Sequence, residues 1–175
     1  ILDWYGEFNR VRNPFHEEAG LSRNGRTEPP ASTGIQGKLA DDCACFMDVT
    51  AIDNGKSCPF TRLVNPLQNE ATDYGSSFAR AARVDVPDAA YVLVSGTASI
   101  DETGATVHLD DPRLQAIRTM RNFEAILGAG GASLDDLYHA VWYVKNPRYA
   151  EILREEMQRC DWPAFPFVTV VANVC

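Results

Sequence analysis

The sequence lacks several features that would place a protein in a class at once. No apolar run approaches the roughly 20 residues that a membrane-spanning helix needs, and no signal peptide is visible, so we expect a cytoplasmic protein with no membrane partner. Basic residues are outnumbered, with 16 Lys and Arg against 24 Asp and Glu and a formal net charge of -8. This charge repels phosphate backbones and argues against a nucleic-acid partner.

Signatures of metal and nucleotide chemistry are also missing. The sequence has three histidines and five cysteines, and the one short-spaced pair, Cys43 and Cys45, has no second pair to complete a zinc site. An odd cysteine count without a secretion signal favours free thiols. The glycines of residues 128–131 follow a predicted helix and not a strand, so we interpret them as a helix stop. We therefore expect no metal and no cofactor.

What is present is the composition of a globular domain. The 175 residues are 45% hydrophobic and 23% charged, enough to bury a core without disulfides. Apolar residues at helical spacing predict an N-terminal helix, with Trp4, Phe8, Val11 and Phe15 on one face. A strand is predicted over residues 43–52.

The second half of the sequence has a clearer pattern. Asp111 and Pro112 are a good helix start, and Ser133 opens a single turn of capping-box type. The predicted elements are strands at residues 91–97 and 106–109 that pair as a hairpin, a helix from 111, a strand at 137–144, a helix from 146 and a strand at 167–174. This β-β-α-β-α-β order predicts an α+β architecture with helices on one face of a mixed sheet. We expect another subunit to cover the other face.

Four ordered stretches then match a known pattern. They are residues 65–68 (NPLQ), residues 74–81 (YGSSFARA), residues 95–101 (SGTASID) with Gln115, Thr119 and Asn122 on the next helix, and residues 141–144 (VWYV) with residues 172–175 (ANVC). Together they resemble the YjgF/YER057c/UK114 (Rid, endoribonuclease L-PSP-like) superfamily, and within it the chorismatase-like branch. Residues 61–175 resemble the Rid-like domain. Residues 1–60 resemble the end of a chorismatase amino-terminal domain, a partial second α/β segment.

The resemblance implies a fold, an assembly and a reaction. The fold is a YjgF/chorismate-mutase-like, barrel-forming domain in a homotrimer, with small-molecule sites between subunits. Chorismatases cleave the enolpyruvyl ether of chorismate and release pyruvate without a cofactor. Arginines hold the substrate carboxylates, because their planar donor pairs suit such groups. A glutamate shortly after the final strand is the general acid, which burial must keep protonated.

Candidate site residues follow from this resemblance and from residue chemistry. We expect Arg80 to clamp a carboxylate, Tyr74 to orient the substrate and Glu70 to stand in as general acid. Substrate contacts are expected from Arg83, Gly96, Thr97, Ala98, Ser99 and Cys175. Each has a structural alternative: the arginines pair with surface acids, Tyr74 and Cys175 pack in the core, and residues 96–99 form a plain strand end.

Three departures from the family pattern keep other functions open. Leu67 stands where chorismatases carry an arginine, and Phe165 stands where Rid deaminases carry one, so we expect Phe165 at a subunit contact. The family's terminal acid would fall beyond Cys175, and we expect segments beyond both ends of the sequence. The leading prediction is a chorismatase-like hydrolase or lyase of secondary metabolism. The alternatives are a Rid-type imine or enamine deaminase and a non-catalytic small-molecule-binding trimer.

Overall fold

The computed structural model describes residues 2–23, 26–36, 47–52 and 60–174. Its helices are α1 (Leu2–Glu18), α2 (Pro112–Ala129) and α3 (Arg148–Arg159), and single 3₁₀ turns lie at Ala71–Tyr74 and Leu134–Asp136. Its strands are β1 (Ser22–Arg23), β2 (Arg26–Thr27), β3 (Phe60–Leu63), β4 (Ala81–Val86), β5 (Ala89–Val94), β6 (Ala140–Val144) and β7 (Phe167–Val171). None of the helices in the described ranges is long and apolar enough to cross a membrane.

The larger strands form two groups. Strands β3, β4 and β5 make an antiparallel sheet in which Leu63 pairs with Ala81 and Ala81 pairs with Val94. Strands β6 and β7 pair in parallel, with Val141 opposite Val168. A parallel pair needs a crossover connection, and α3 provides it. Antiparallel strands with helices give the α+β architecture that the sequence predicts.

The predicted hairpin partner of β5 is wrong. Strand β5 pairs with β4 through a tight turn at Pro87 and Asp88, whereas residues 106–109 contribute only the isolated bridge between Ile100 and Thr106. His108 and Asp110 have φ values of 61° and 63°, which a continuing strand does not tolerate. The β-β-α-β-α-β order is therefore correct, but it begins at Ala81.

The structure does not contain the described part, residues 47–52, of the strand predicted over residues 43–52. Residues 43–46 lie outside the described residues, and residues 47–52 have no strand assignment. Met47 and Val49 are exposed to solvent, so their side chains pack against no other element. Residues 47–52 also form no strand pairing with another described residue. Apolar composition without pairing does not make a strand.

Helix α2 begins and ends as its sequence predicts. The Asp111 carboxylate accepts a hydrogen bond of 3.0 Å from the Leu114 amide, and Pro112 occupies the first turn, where no amide is needed. At the other end, Gly130 lies so close to the sheet that a Cβ there would come within 2.8 Å of Leu63 Cδ1. A larger residue here would have to displace the side chains of Leu63 and Val92, so glycine allows the helix end to lie close to β3 and β5. Ser133 and Asp136 form the predicted capping box beyond it.

Helix α2 is the centre of the core. Met120, Leu127, Leu134 and Phe165 form one buried cluster, and Leu63, Ala81 and Ile126 form a second. Val92, Val94 and Phe123 pack against both clusters, so one helix joins the two groups of strands. The expectation that Phe165 lies at a subunit contact is corrected here. Its ring is buried inside this chain, 6.0 Å from the Phe167 ring.

Candidate functional site

Arg80 lies immediately before β4 and points away from helix α2. Its neighbour Ala81 packs against Ile126 of α2, and successive side chains along an extended chain alternate between faces. The Arg80 carbonyl accepts a hydrogen bond of 3.0 Å from Ser95, which ties this position to the end of β5. The residue is only 3% exposed. The fold therefore holds a guanidinium inside the protein, on the sheet face opposite helix α2.

The partners of Arg80 are neutral. Its Nε donates to the Asn69 carbonyl at 2.8 Å and its Nη2 donates to Asn69 Oδ1 at 3.1 Å. The Tyr74 and Phe78 rings lie 5.6 and 5.3 Å from the guanidinium carbon, within cation–π range. Across the described ranges no carboxylate forms an ion pair with it. A buried arginine stays charged, so this environment favours an anionic ligand.

Asn69, the main partner of Arg80, is itself held in place by a turn. The backbone amide of Asn69 donates to the Asp101 carbonyl, and Gly104 in the same turn has a φ of 87°. A Cβ on Gly104 would lie 2.6 Å from Asn69 Nδ2, so a side chain there would displace the amide. Hydrogen bonds from Thr103 and then from Ala105 hold the pKa of Asp101 below its usual value, so its carboxylate keeps the turn closed.

Glu70 is next to Asn69 and is already paired. One carboxylate oxygen accepts from Arg62 on β3, and the other, Oε1, is buried without a hydrogen-bond partner. Glu70 also stands at the start of the 3₁₀ turn Ala71–Tyr74, where its backbone amide donates to Asp73 Oδ2 at 3.1 Å, and this turn carries the half-exposed Tyr74. The structure thus brings Glu70, Tyr74 and Arg80 to one loop. It also gives Glu70 a structural partner that must be released before Glu70 can donate a proton.

Arg83 lies apart from Arg80. It is on the face of β4 that α2 covers, where its Nη1 donates to the Gly130 carbonyl at 2.5 Å. Its other nitrogens contact the Asp85 carboxylate at 2.8 and 2.9 Å. Arg83 therefore connects β4 to the end of α2 and pairs with a carboxylate. This is the structural role, pairing with an acid, that the sequence analysis gave as the alternative to a substrate contact.

Residues 95–99 follow β5 and border the same region. Ser95 Oγ accepts from the Ser32 amide at 2.9 Å, and a Cβ on Gly96 would lie 3.1 Å from Thr33 Cγ2. Three further contacts use polar groups of this stretch: Thr97 Oγ1 to the Ser95 carbonyl at 3.1 Å, the Ala98 carbonyl to Asn122 Nδ2 at 2.9 Å and Ser99 Oγ to the Val107 carbonyl at 2.9 Å. These contacts fix the loop that follows β5, and in the described residues they occupy the hydroxyls of Thr97 and Ser99 that were expected to contact the substrate. Cys175 lies outside the described residues.

Sequence reasoning missed the contribution of helix α1. Tyr5 Oη and Ser76 Oγ share a hydrogen bond at 2.6 Å, and His16 Nδ1 lies 3.3 Å from Ser77 Oγ. Burial, and then the charge of Arg12, lower the pKa of His16, so it is neutral at pH 7. The available signal was the spacing of Tyr5, Asn9, Arg12 and His16, which repeats the i, i+4, i+7, i+11 spacing of the apolar face.

Metal chemistry finds no support in the described part of the chain. No group of three or more His, Cys, Asp or Glu side chains is placed there to hold an ion. The chemistry that the site offers is instead that of hydrogen-bond donors and one buried positive charge.

The fold of this chain is similar to that of several solved structures. No protein-family model matches the sequence, and no curated protein matches it at the sequence level. Among solved structures, a chorismatase matches 97% of this chain at 20% identity with a TM-score of 0.67, and the match covers 53% of the chorismatase. The present chain thus spans about half the length of that enzyme.

Smaller proteins match about two thirds of the chain. An endoribonuclease L-PSP-type protein of Entamoeba histolytica is 18% identical, with a TM-score of 0.52 over 66% of this chain and 89% of its own. The protein YjgH is 19% identical, with a TM-score of 0.51 over 65% and 85%. These likenesses concern the fold. They confirm the predicted α+β fold, which this chain shares with chorismatase and with the L-PSP-type protein, whereas the predicted barrel is not tested.

Proposed function

We propose that this chain is the site-bearing part of a chorismatase-like hydrolase or lyase that acts on a small carboxylated ring metabolite such as chorismate. The observation that carries the proposal is Arg80, a buried guanidinium with neutral partners and aromatic rings beside it. An anionic ring compound satisfies both features, because its carboxylate pairs with the arginine and its ring packs against Tyr74.

The proposed reaction cleaves an enolpyruvyl ether with water. A proton is added to the terminal methylene carbon, water adds to the ether carbon, and the resulting hemiketal collapses to pyruvate and a ring alcohol. In this proposal Arg80 holds a carboxylate, Tyr74 orients the ring, and the loop of residues 96–99 borders the substrate. Burial of the charge pair strengthens it relative to water.

Glu70 is the proposed proton donor among the described residues. The buried, unpartnered Oε1 supports this role, since an orphaned carboxylate oxygen beside a candidate site needs a partner. Its pairing with Arg62 through the other oxygen speaks against it, because that ion pair requires an ionised carboxylate. The second candidate function, a non-catalytic carboxylate-binding protein, rests on this same ion pair.

The proposed assembly is a homotrimer with the sites between subunits. Tyr91, Val168 and Val170 lie on the strand faces turned away from the helices and are 40–52% exposed. Exposed apolar side chains on both groups of strands support a protein–protein contact. The deaminase alternative lacks such support, because Phe165, at the position of the deaminase arginine, is part of the core.

The test is the release of pyruvate from chorismate, followed by a coupled lactate dehydrogenase assay. The variant Arg80→Gln should lower kcat/KM on the order of 100-fold, the loss expected when one partner of a buried charge pair is removed. Arg10→Gln is the matched control, because Arg10 is exposed and pairs with Glu7 on α1. Glu70→Gln should lower kcat while leaving the affinity for substrate nearly unchanged.

Two outcomes would change the assignment. Binding of chorismate with no pyruvate release would favour the non-catalytic function. Turnover that is equal in the Arg80 and Arg10 variants would refute the role of Arg80 altogether.

A further inference from the structure

Asn69 occupies one edge of the Arg80 guanidinium. Its backbone carbonyl accepts from Arg80 Nε at 2.8 Å, and its side-chain Oδ1 accepts from Arg80 Nη2 at 3.1 Å. Nε and Nη2 direct their N–H groups to the same side of the planar guanidinium, where an arginine can hold a carboxylate through two parallel hydrogen bonds. In this chain a single neutral residue fills that edge with two oxygens.

The tip of the Arg80 guanidinium remains open. Among the described residues, Nη1 of Arg80 donates no hydrogen bond, and it is not one of the side-chain atoms that are buried without a partner. Nη1 therefore reaches solvent, although the residue as a whole is buried. The edge formed by Nη1 and Nη2 keeps two N–H donors that Asn69 does not use. An anion can therefore reach this edge while Asn69 stays in place.

The neutrality of Asn69 preserves the charge of Arg80. An aspartate at this position would accept the same hydrogen bond, but its negative charge would pair with the guanidinium. Arg83 shows that alternative within this chain, because its Nε and Nη2 both contact the Asp85 carboxylate, at 2.9 and 2.8 Å. Two arginines of the same chain segment thus use the same guanidinium edge, one on an amide and the other on a carboxylate. Only the first keeps its charge available to a ligand.

The turn of residues 101–104 fixes the position of Asn69. The Asp101 carbonyl accepts from the backbone amide of Asn69 at 3.4 Å. Helix α2 holds the residue before this turn, since Asn122 Nδ2 donates to the Ile100 carbonyl at 2.8 Å. Gly104 leaves room for the Asn69 amide, because a Cβ at Gly104 would come within 2.6 Å of Asn69 Nδ2. The contacts that orient Asn69 therefore come from this chain and need no ligand.

We propose that Asn69 is a positioning residue for Arg80: it holds the guanidinium by the Nε–Nη2 edge without neutralising it, and it thereby presents the Nη1–Nη2 edge to the ligand. An anionic group of the ligand then binds end-on to Arg80 and does not displace Asn69. The proposal rests on the proposed role of Arg80. It adds the residue that keeps this arginine both charged and oriented.

Isothermal titration calorimetry with benzoate tests the role of Asn69. Asn69→Ala should weaken benzoate binding about threefold, because it removes one hydrogen bond to Arg80 and keeps the backbone carbonyl. Asn69→Asp should weaken it about tenfold or more, because it places a second carboxylate beside the one that binds. Gln158→Glu adds the same charge at an exposed position of α3 and should bind benzoate as the wild type does. Equal affinity of the two Asn69 variants overturns the proposal.

Thermal melting followed by circular dichroism separates this role from a merely structural one. Asn69→Asp should melt at or above the temperature of the wild type, because a charge-assisted hydrogen bond to Arg80 replaces a neutral one. Binding is then lost while stability is kept. Asn69→Asp protein that melts below Asn69→Ala would contradict the proposal, since the loss of affinity would follow a loss of structure.

A measurement on the wild-type protein keeps the test valid if the Asn69 variants do not fold. In ¹H–¹⁵N arginine spectra, benzoate should shift the Nη resonances of Arg80 more than the Nε resonance, because Nε stays bound to the Asn69 carbonyl. A larger shift of Nε would show that the ligand displaces Asn69, and it would overturn the proposal, as would the absence of any shift.

The role of Asn69 and the proposed reaction fail differently. Benzoate affinity that follows the charge at position 69, without release of pyruvate from chorismate, removes the reaction only. Pyruvate release with equal kcat/KM in Asn69→Asp and Asn69→Ala removes the role of Asn69 only.

Discussion

Helices α1 and α2 have similar sequence periodicity but bury opposite kinds of surface. In α2 the apolar residues face inward, and Ile126 is completely buried. In α1 the apolar residues Val11 and Phe15 are 63% and 65% exposed, while Asn9 and His16 are buried. The same 3.6-residue repeat thus accompanies an apolar contact in one helix and a polar contact in the other.

The difference teaches what helical periodicity can and cannot predict. In α1 polar residues repeat with the same spacing one position after the apolar ones, about 100° further around the helix, and a helix can pack on either stripe. Which face is buried depends on the partner. Helix α2 meets a sheet lined by Leu63, Val92 and Val94, whereas α1 meets the hydroxyls of Ser76 and Ser77. A polar partner selects the polar face because buried hydrogen-bonding groups require partners.

The largest expected effect comes from truncating an apolar side chain of α2, compared with the same kind of truncation in α1. Ile126→Ala should lower the free energy of unfolding by about 2–5 kcal/mol, because it leaves a cavity in the core. Val11→Ala should change it by no more than about 0.5 kcal/mol, since this side chain already lies in water. Urea unfolding monitored by circular dichroism measures both. A Val11→Ala loss as large as that of Ile126→Ala would show that another molecule covers this face in solution.

The polar contact between α2 and α3 offers a second comparison. Glu156 on α3 is buried and accepts from Arg159 and from Arg113 of α2, whereas the neighbouring Glu155 is exposed and also meets Arg113. Glu156→Gln should therefore lower Tm more than Glu155→Gln does. Circular dichroism melting at pH 7 measures the difference.

The acid dependence of the same contact has a definite sign. Hydrogen bonds from Arg159 and then from Arg113 lower the pKa of Glu156 below the ordinary value of 4.5. The ion pair thus stabilises the fold above about pH 4.5, and this contribution disappears as the pH falls through the lower folded-state pKa. Glu156→Gln should be less sensitive to acid than the wild type. Acid sensitivity equal to that of the wild type would contradict this account.

The smallest effect concerns the buried polar face of α1. Burial and Arg12 lower the pKa of His16, so the folded protein keeps this ring neutral below its ordinary value of 6.5, where the unfolded chain takes up a proton. Stability should therefore fall as the pH drops from 7.5 to 5.5. His16→Gln should reduce this fall, and His139→Gln, at an exposed position, should not. Equal pH dependence of the urea midpoint in both variants would count against a neutral, buried His16.

Local signals allowed much of the fold to be predicted. Asp111 and Pro112 define the start of α2 through backbone chemistry that needs no distant partner, and Ser133 and Asp136 do the same for their turn. Strand pairing was less accessible, because β5 could be matched with residues 106–109 or with β4 on composition alone. The turn at Pro87 and Asp88 favours β4, and only the register shows it.

The candidate site was accessible only in part. The resemblance pointed to the stretch that holds Tyr74 and Arg80, and the structure places both at one loop. The resemblance did not indicate Arg12 or His16, which lie far from that stretch in the sequence. They belong to a helix whose apolar residues were the ones predicted to be buried. The sequence analysis favoured Arg80 over Arg83 as the carboxylate clamp but expected both at the substrate, whereas the two lie on opposite faces of the chain around β4.

The sequence by itself determined the local elements of this protein: the start and end of α2, the turn at residues 133–136 and the acidic net charge. These depend on neighbours within a few residues, and their energetics are the same in any fold. Tertiary structure alone decided which face of α1 is buried, because that contact joins groups 61 residues apart, His16 and Ser77. It also decided that Arg80, and not Arg83, lies without a carboxylate partner. No local pattern specifies such pairs, because burial arises only when the chain has closed around them.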